Sequence, residues 1–161
     1  MRFSAAVLCL AALSACTTDM APATTSPTTA APTAQGSTAA TQATDLGPLI
    51  NEFRAANGKA ALNVSSALTI AADRHVQDMV ANSYFSHTGL NGSNVGSRVN
   101  AAGCRWTSVA ENIAQGQTNP QDVMASWIGS SAHRANLLGN FTSFGAARAG
   151  NTWVLVFASG C

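Results

Sequence analysis

Behind a single charge at Arg2, residues 3 to 13 form a nearly unbroken apolar run; between residues 17 and 44 no apolar period is detectable. From Leu46 onward, apolar positions return at helical spacing: Leu46, Leu49, Ile50 and Phe53, with Pro48 placed in a first turn and Asn57-Gly58 as a stop, predict a first helix. A second helix is expected from a Ser65 or Ser66 cap to about Asn82, its apolar stripe made of Leu68, Ala72, His75, Val76 and Met79. A shorter one is expected around Val95 to Ala102, starting near Ser93 and ending at Gly103. Asn119-Pro120 reads as a cap and first helical residue ahead of the buried face Val123, Met124, Trp127 and Ile128, and Ala132 to Leu138 adds one further turn or two.

The period then shortens to alternation. Phe144 to Arg148 and Thr152 to Ala158 read as antiparallel strands joined at Gly150-Asn151, with Trp153, Leu155 and Phe157 on one face. A two-stranded ribbon is rarely stable alone, and Val109 to Ala114 supplies a candidate third strand. Helices on both faces of a small antiparallel sheet bury all these stripes together, so the expected class is α+β, a three-layer α-β-α sandwich. No internal repeat is evident.

The opening run is too short to span a bilayer, which needs about 20 apolar residues. With Arg2 ahead of it, it has the form of a secretory signal, and Leu13-Ser14-Ala15-Cys16 matches a lipoprotein processing box. Residues 1 to 15 are therefore expected to leave as a signal peptide, with Cys16 acylated as the first mature residue and serving as the membrane partner. Thr17 in place of Asp points to an outer membrane by lipoprotein sorting rules. Residues 16 to 44 are rich in Thr, Ala, Pro, Ser and Gln without an aromatic, and read as a disordered tether. Residues 45 to 161 then form one extracytoplasmic domain, expected to be a monomer.

Charged residues make up only 9% of the chain, against about 25% in typical soluble proteins. Neither sign clusters, which disfavours a nucleic-acid partner. Of the four cysteines, Cys9 leaves with the leader and Cys16 is acylated; Cys104 and Cys161 should pair in an oxidising compartment.

The chain has three histidines. His75 lies on the helical stripe and reads as a core residue. His87 follows that helix in Tyr84-Phe85-Ser86-His87-Thr88-Gly89, and His133 follows the Trp127 helix in Ser130-Ser131-Ala132-His133-Arg134-Ala135-Asn136. Glu111 interrupts an apolar run, Ala110-Glu111-Asn112-Ile113-Ala114, and a carboxylate there must find partners. It can serve structural hydrogen bonding or chemistry. Two imidazoles and a carboxylate could bind a divalent, zinc-like metal with an open position, or act as acid and base.

Taken in order, Phe85-Ser86-His87, Ala110-Glu111-Asn112-Ile113-Ala114, Trp127 to Ser130, His133-Arg134-Ala135-Asn136-Leu137-Leu138, Phe144-Gly145 and Trp153 resemble bacterial members of the CAP superfamily. That superfamily takes in cysteine-rich secretory proteins, venom antigens and plant pathogenesis-related proteins. The resemblance spans residues 45 to 161 and implies a cleft in which His87, His133 and Glu111 meet, with Asn136 in the same motif. Many eukaryotic members carry a second cleft glutamate shortly after the helix-four aromatic; the nearest position here is Ser130.

Family activities are diverse, so membership names no reaction. The favoured reading is a cell-envelope binding module whose cleft or neighbouring helical groove takes a lipid-like, peptide or glycan ligand, with or without metal. The alternative is a hydrolase built on His87, Glu111 and His133 around a metal-bound water or around Ser130 or Ser131, although no Gly-x-Ser-x-Gly or His-Glu-x-x-His motif accompanies it. A purely structural envelope role is the third reading.

Overall fold

A computed structural model describes the backbone of residues 37 to 161 and the side chains from Asp45 onward. The leader, Cys16 and the tether as far as residue 36 lie outside the described residues. In chain order the elements are α1 (Ser37–Ala56), β1 (Asn63–Val64), α2 (Ser66–Ala81), α3 (Val95–Ala101), β2 (Ser108–Gln115), α4 (Pro120–Gly129), α5 (Ser131–Leu137), β3 (Ser143–Ala149) and β4 (Thr152–Ser159).

The strands form one sheet in the order β1-β3-β4-β2. β3 and β4 pair antiparallel across the Gly150-Asn151 turn, where Gly150 has φ +60°, and β2 pairs antiparallel with the other edge of β4. Both faces of β4 are buried because helices cover the sheet on each side. On one face Trp153, Leu155 and Phe157 pack with Leu46 and Ile50 of α1, Trp127 of α4 and Leu137 of α5. On the other, Val154, Val156 and Ala158 pack with Leu68, Ala72 and Val76 of α2 and Val99 of α3. The result is the expected α-β-α sandwich with a core on each side of the sheet.

Three details depart from the pattern read along the chain. The first is the two-residue strand β1, which pairs parallel with β3 through Asn63 with Ser143 and Val64 with Phe144. Its residues are exposed on both faces, so no alternation marks it. The second is α1, which starts at Ser37 rather than near Leu46, so Pro48 sits inside the helix instead of in its first turn. Extending a nucleated helix adds one hydrogen bond per residue fixed, and the Ala-containing segment ahead of Asp45 permits it. The third is the start of α3, capped by Asn94 instead of Ser93. The Asn94 side chain accepts from Ser97 N at 2.9 Å and Ser97 Oγ accepts from Asn94 N at 3.0 Å, a reciprocal capping box.

Two long-range ties hold the ends. Cys104, after α3, is disulfide-bonded to Cys161, closing a separation of 57 residues. Arg54, near the end of α1 and only 2% exposed, donates from Nε to Ala60 O at 2.8 Å and from Nη1 to Leu137 O at 2.7 Å and Gly139 O at 3.0 Å. It thereby supplies donors to carbonyls at the end of α5 that have no helical partner. Burial lowers its pKa from the ordinary arginine value.

Candidate functional site

β2 runs along the sheet edge next to β4, and its central residues carry the polar groups of the site. Glu111 and Asn112 are adjacent and point to opposite faces, as strand geometry requires. Both are buried, and each organises a hydrogen-bond network on its own face of the strand.

Glu111 holds the α2–α3 side. Its Oε1 lies 2.8 Å from His87 Nδ1 and its Oε2 accepts from Arg98 Nη2 at 2.8 Å. The Glu111 side chain is 2% exposed and that of Arg98 9%, so this is a buried ion pair of which His87 is the accessible end, at 56%. An ionised carboxylate offers only acceptors, so His87 donates from Nδ1, and in the neutral ring Nε2 carries the lone pair. Arg98 also donates to His87 O and Ser93 O, each at 3.0 Å, tying the loop that carries the imidazole to the carboxylate behind it.

His75 lies behind the pair. It is 1% exposed, its Nε2 donates to Ser86 O at 2.9 Å, and Nε2 is 4.0 Å from Glu111 Oε1. Burial is the main cause that lowers its pKa, opposed by the Glu111 charge and assisted by Arg98. Nearby Tyr84 hydroxyl donates to Asp78, and burial followed by that carboxylate pushes the phenol up to about 12. His75 and Arg98 also border a separate groove of about 370 Å³ between α2 and α3.

Asn112 holds the α5 side. Its Nδ2 donates to His133 O at 3.1 Å, while its Oδ1 accepts from Asn136 Nδ2 at 2.8 Å. Asn136 Nδ2 also reaches Glu111 O at 3.3 Å. Asn136 is thus a brace between α5 and β2, and the bridge fixes the backbone of His133. The His133 pKa is lowered, first by burial and then by repulsion from a protonated His87.

The candidates read from the chain therefore separate into groups. His87 and Glu111 are in direct contact, His133 feels the charge of His87, and Asn136 supports Glu111 and His133 from the backbone side. Ser130 sits at the junction of α4 and α5, where its N–H donates to Trp127 O at 3.3 Å and its hydroxyl makes no cap to α5. Among the described residues, no hydrogen bond joins Ser130 or Ser131 to either cleft histidine. Glu111 stands behind His87 rather than beside it: both carboxylate oxygens are engaged, and no group of three or more His, Cys, Asp or Glu among the described residues is placed to hold a metal ion. Arg98 was not legible as a site residue, because a single arginine on a short helix carries no signal of the buried carboxylate it meets 13 residues later.

On the other side of the sheet a groove of about 400 Å³ lies between α1 and α4, lined by Leu49, Phe53, Met124 and Ile128 among others. No helix of the described residues is long and apolar enough to cross a membrane.

This sandwich, with Glu111 of β2 paired to His87 of the α2–α3 loop and a second histidine on α5, belongs to the CAP, or cysteine-rich secretory protein, family, whose pattern matches residues 48 to 157. Among its relatives is the uncharacterized protein YkwD of Bacillus subtilis (strain 168), 31% identical over 144 residues; the match covers 88% of this chain and 56% of that protein. In three dimensions it is similar to an extracellular protein containing a SCP domain from Bacillus anthracis (TM-score 0.72, 25% identity), covering 74% of this chain and 41% of that one. It also resembles an outer surface protein from Borrelia burgdorferi (TM-score 0.67, 20% identity), covering 72% of this chain and 90% of that one. The chain spans about half the length of the curated relative it matches.

Proposed function

We propose that this chain is an extracytoplasmic CAP-domain binding module, held to a bacterial membrane through an acylated Cys16, whose His87/His133 cleft takes an envelope ligand. The observation that carries this reading is the state of Glu111. Both of its oxygens are held by His87 and Arg98 in a buried network, which fixes the direction of an exposed imidazole. A carboxylate so engaged orients the imidazole it holds, so that His87 rather than Glu111 is the group offered to a ligand. The apolar groove between α1 and α4, away from His87 and Glu111, offers a lipid-like ligand a second place to lie.

Two imidazoles offer a divalent, zinc-like ion part of a ligand set, and the described residues group no third His, Cys, Asp or Glu with them. A metal-binding histidine characteristically passes its second N–H to a carboxylate, and His87 does so to Glu111. His87 Nε2 and a ring nitrogen of His133 would hold the ion, which would supply a Lewis-acidic contact for an oxygen of the ligand. Extracellular and surface placement of the relatives in Bacillus anthracis and Borrelia burgdorferi, together with the signal-like start of the chain, supports the location.

Native mass spectrometry of the protein extracted from membranes in mild detergent tests the reading. A bound small molecule or metal is expected on the wild type and absent from a His87→Ala/His133→Ala double variant. Cys16→Ser should leave the membrane fraction or persist as an unprocessed precursor. Equal ligand occupancy in both forms would overturn the cleft assignment, and turnover of peptides or esters lost in the double variant would replace binding by hydrolysis.

A further inference from the structure

We propose that the groove of about 370 Å³ between α2 and α3 is a binding site for a monocarboxylate ligand, held by the guanidinium groups of Arg74 and Arg98 and by the Ser93 hydroxyl. It is a second site, and it does not depend on the reading of the His87/His133 cleft.

The chemistry of the ligand follows from which groups in the groove are already paired. Its acceptors are engaged. Asp78 Oδ1 accepts from Asn82 Nδ2 at 2.8 Å and its Oδ2 from the Tyr84 hydroxyl, Asn91 Oδ1 accepts from Ser93 N at 2.9 Å, and Ser97 Oγ is closed into the capping box with Asn94. The donors are left over. Arg98 commits Nη1 to Ser93 O and Nη2 to His87 O and Glu111 Oε2, but its Nε has no hydrogen-bond partner among the described residues, although the side chain is only 9% exposed. Arg74, exposed on α2, reaches only Ala101 O, at 3.5 Å, and among the described residues neither the Ser93 hydroxyl nor Asn91 Nδ2 makes a hydrogen bond. A cavity with committed acceptors and spare donors suits a ligand that brings acceptors alone, and a buried N–H without a partner is satisfied when such an oxygen arrives.

The fold brings these groups to one place. A Cβ on the buried Gly89 would lie 2.6 Å from Ser93 Oγ, 3.0 Å from Asn91 Oδ1 and 3.7 Å from Asp78 Oδ2, so the loop ahead of α3 gathers its hydroxyl and amide against α2. Arg74 and Asp78 are four residues apart and share a face of that helix. Arg98 Nε is enclosed, so an oxygen reaching it displaces a side chain of the wall, and the exposed Arg74 and Asn91 are free to move. Ala101 and the aliphatic stems of the arginines offer an apolar wall to the rest of the ligand.

Charge selects among oxyanions. The two arginines are balanced by Asp78 in the groove and Glu111 behind Arg98, and His75, also in the wall, is buried and neutral at pH 7.5. A dianion such as phosphate would meet Asp78 without a net positive charge to offset the repulsion. A carboxylate brings one charge and two coplanar oxygens to guanidinium N–H groups.

The test is a titration of the full chain in non-ionic detergent at pH 7.5 and constant ionic strength, followed by ¹H–¹⁵N correlation spectra of the backbone amides and the arginine Nε–H groups. The probe is N-acetylglycine, with its neutral amide and inorganic phosphate run in parallel. N-acetylglycine should shift the Arg74 and Arg98 Nε–H signals and the Ser93 amide saturably, with a Kd on the order of 1 mM, and the neutral amide should shift none of them. Arg74→Ala should weaken binding about ten-fold, Arg74→Gln nearly as much and Ser93→Ala about three-fold, while the His87→Ala/His133→Ala double variant should bind as wild type does. Loss of binding in that double variant would place the probe in the cleft and overturn the groove assignment. Absence of a saturable shift, equal shifts with the neutral amide, tighter binding of phosphate than of N-acetylglycine, or affinity unchanged in both Arg74 variants would overturn it as well.

Discussion

His75 and His87 both approach Oε1 of Glu111, at 4.0 and 2.8 Å, yet their surroundings give them different chemistry. His87 faces solvent, whereas His75 is enclosed and held neutral because burial opposes its protonation more than Glu111 favours it. A histidine whose pKa is lowered on folding binds protons more readily in the unfolded chain, so it contributes a loss of stability as pH falls below about 6.5 toward the folded value, and none above. His133 is lowered too and acts in the same window. The melting temperature of the wild type should fall between pH 7.5 and 5.5, and the fall should be smaller in His75→Gln, whose amide can still donate to Ser86 O. Calorimetric scans at the two pH values check this; parallel falls in both proteins would show that His75 is not the group responsible. At this scale the chain reveals chemistry through residue type and local context, which is why a lone glutamate in an apolar strand and histidines placed just after helices stand out. Arg98 and the Asn112–Asn136 pair do not stand out, because their roles depend on partners across the sheet edge, 13 and 24 residues away.

The position of α2 depends on one close approach. A Cβ on Gly145 of β3 would lie 2.1 Å from Thr69 N and 2.3 Å from Leu68 C, so the first turn of α2 rests directly on the sheet backbone there. Gly145→Ala should destabilise the protein by about 3 kcal/mol, at the upper end of overpacking effects, since backbone on both sides would have to separate. Urea unfolding measures it, and a change under about 0.5 kcal/mol would mean that α2 can shift away freely. Such contacts explain which elements are legible. α2, α4, β3 and β4 bury long periodic faces and are evident from the apolar pattern. β1 is two exposed residues whose strand character comes wholly from pairing with β3. The Asn94 cap and the Ser83 residue at φ +54°, a left-handed conformation usually reserved for glycine or asparagine, are likewise set by what the chain must join.

Over the described residues, the sandwich fixes where the His87 and His133 segments sit. β2 offers Glu111 to α3 and the His87 loop, and Asn112 to α5 and the His133 backbone, so two segments 46 residues apart are registered by adjacent residues of one strand. The Cys104–Cys161 bridge fastens the chain end beside the start of that strand and, on the chain-entropy account, stabilises by about 4 kcal/mol. That pairing was legible because reading Cys9 as part of a leader and Cys16 as an acylation site leaves two cysteines to pair, while the parallel β1–β3 contact was not, since nothing local encodes it. In the proposed reading His87 and His133 form one ligand-holding site with Glu111 behind it. Calorimetric titration of the protein with Zn²⁺ at pH 7.5 and 5.5 tests it most directly. Wild type should bind at pH 7.5 and weaken at least ten-fold at pH 5.5, where imidazoles take up protons, and His87→Ala and His133→Ala should each remove most of the affinity while His75→Gln retains it. Heats that are equal in all four proteins and insensitive to pH would contradict the shared site.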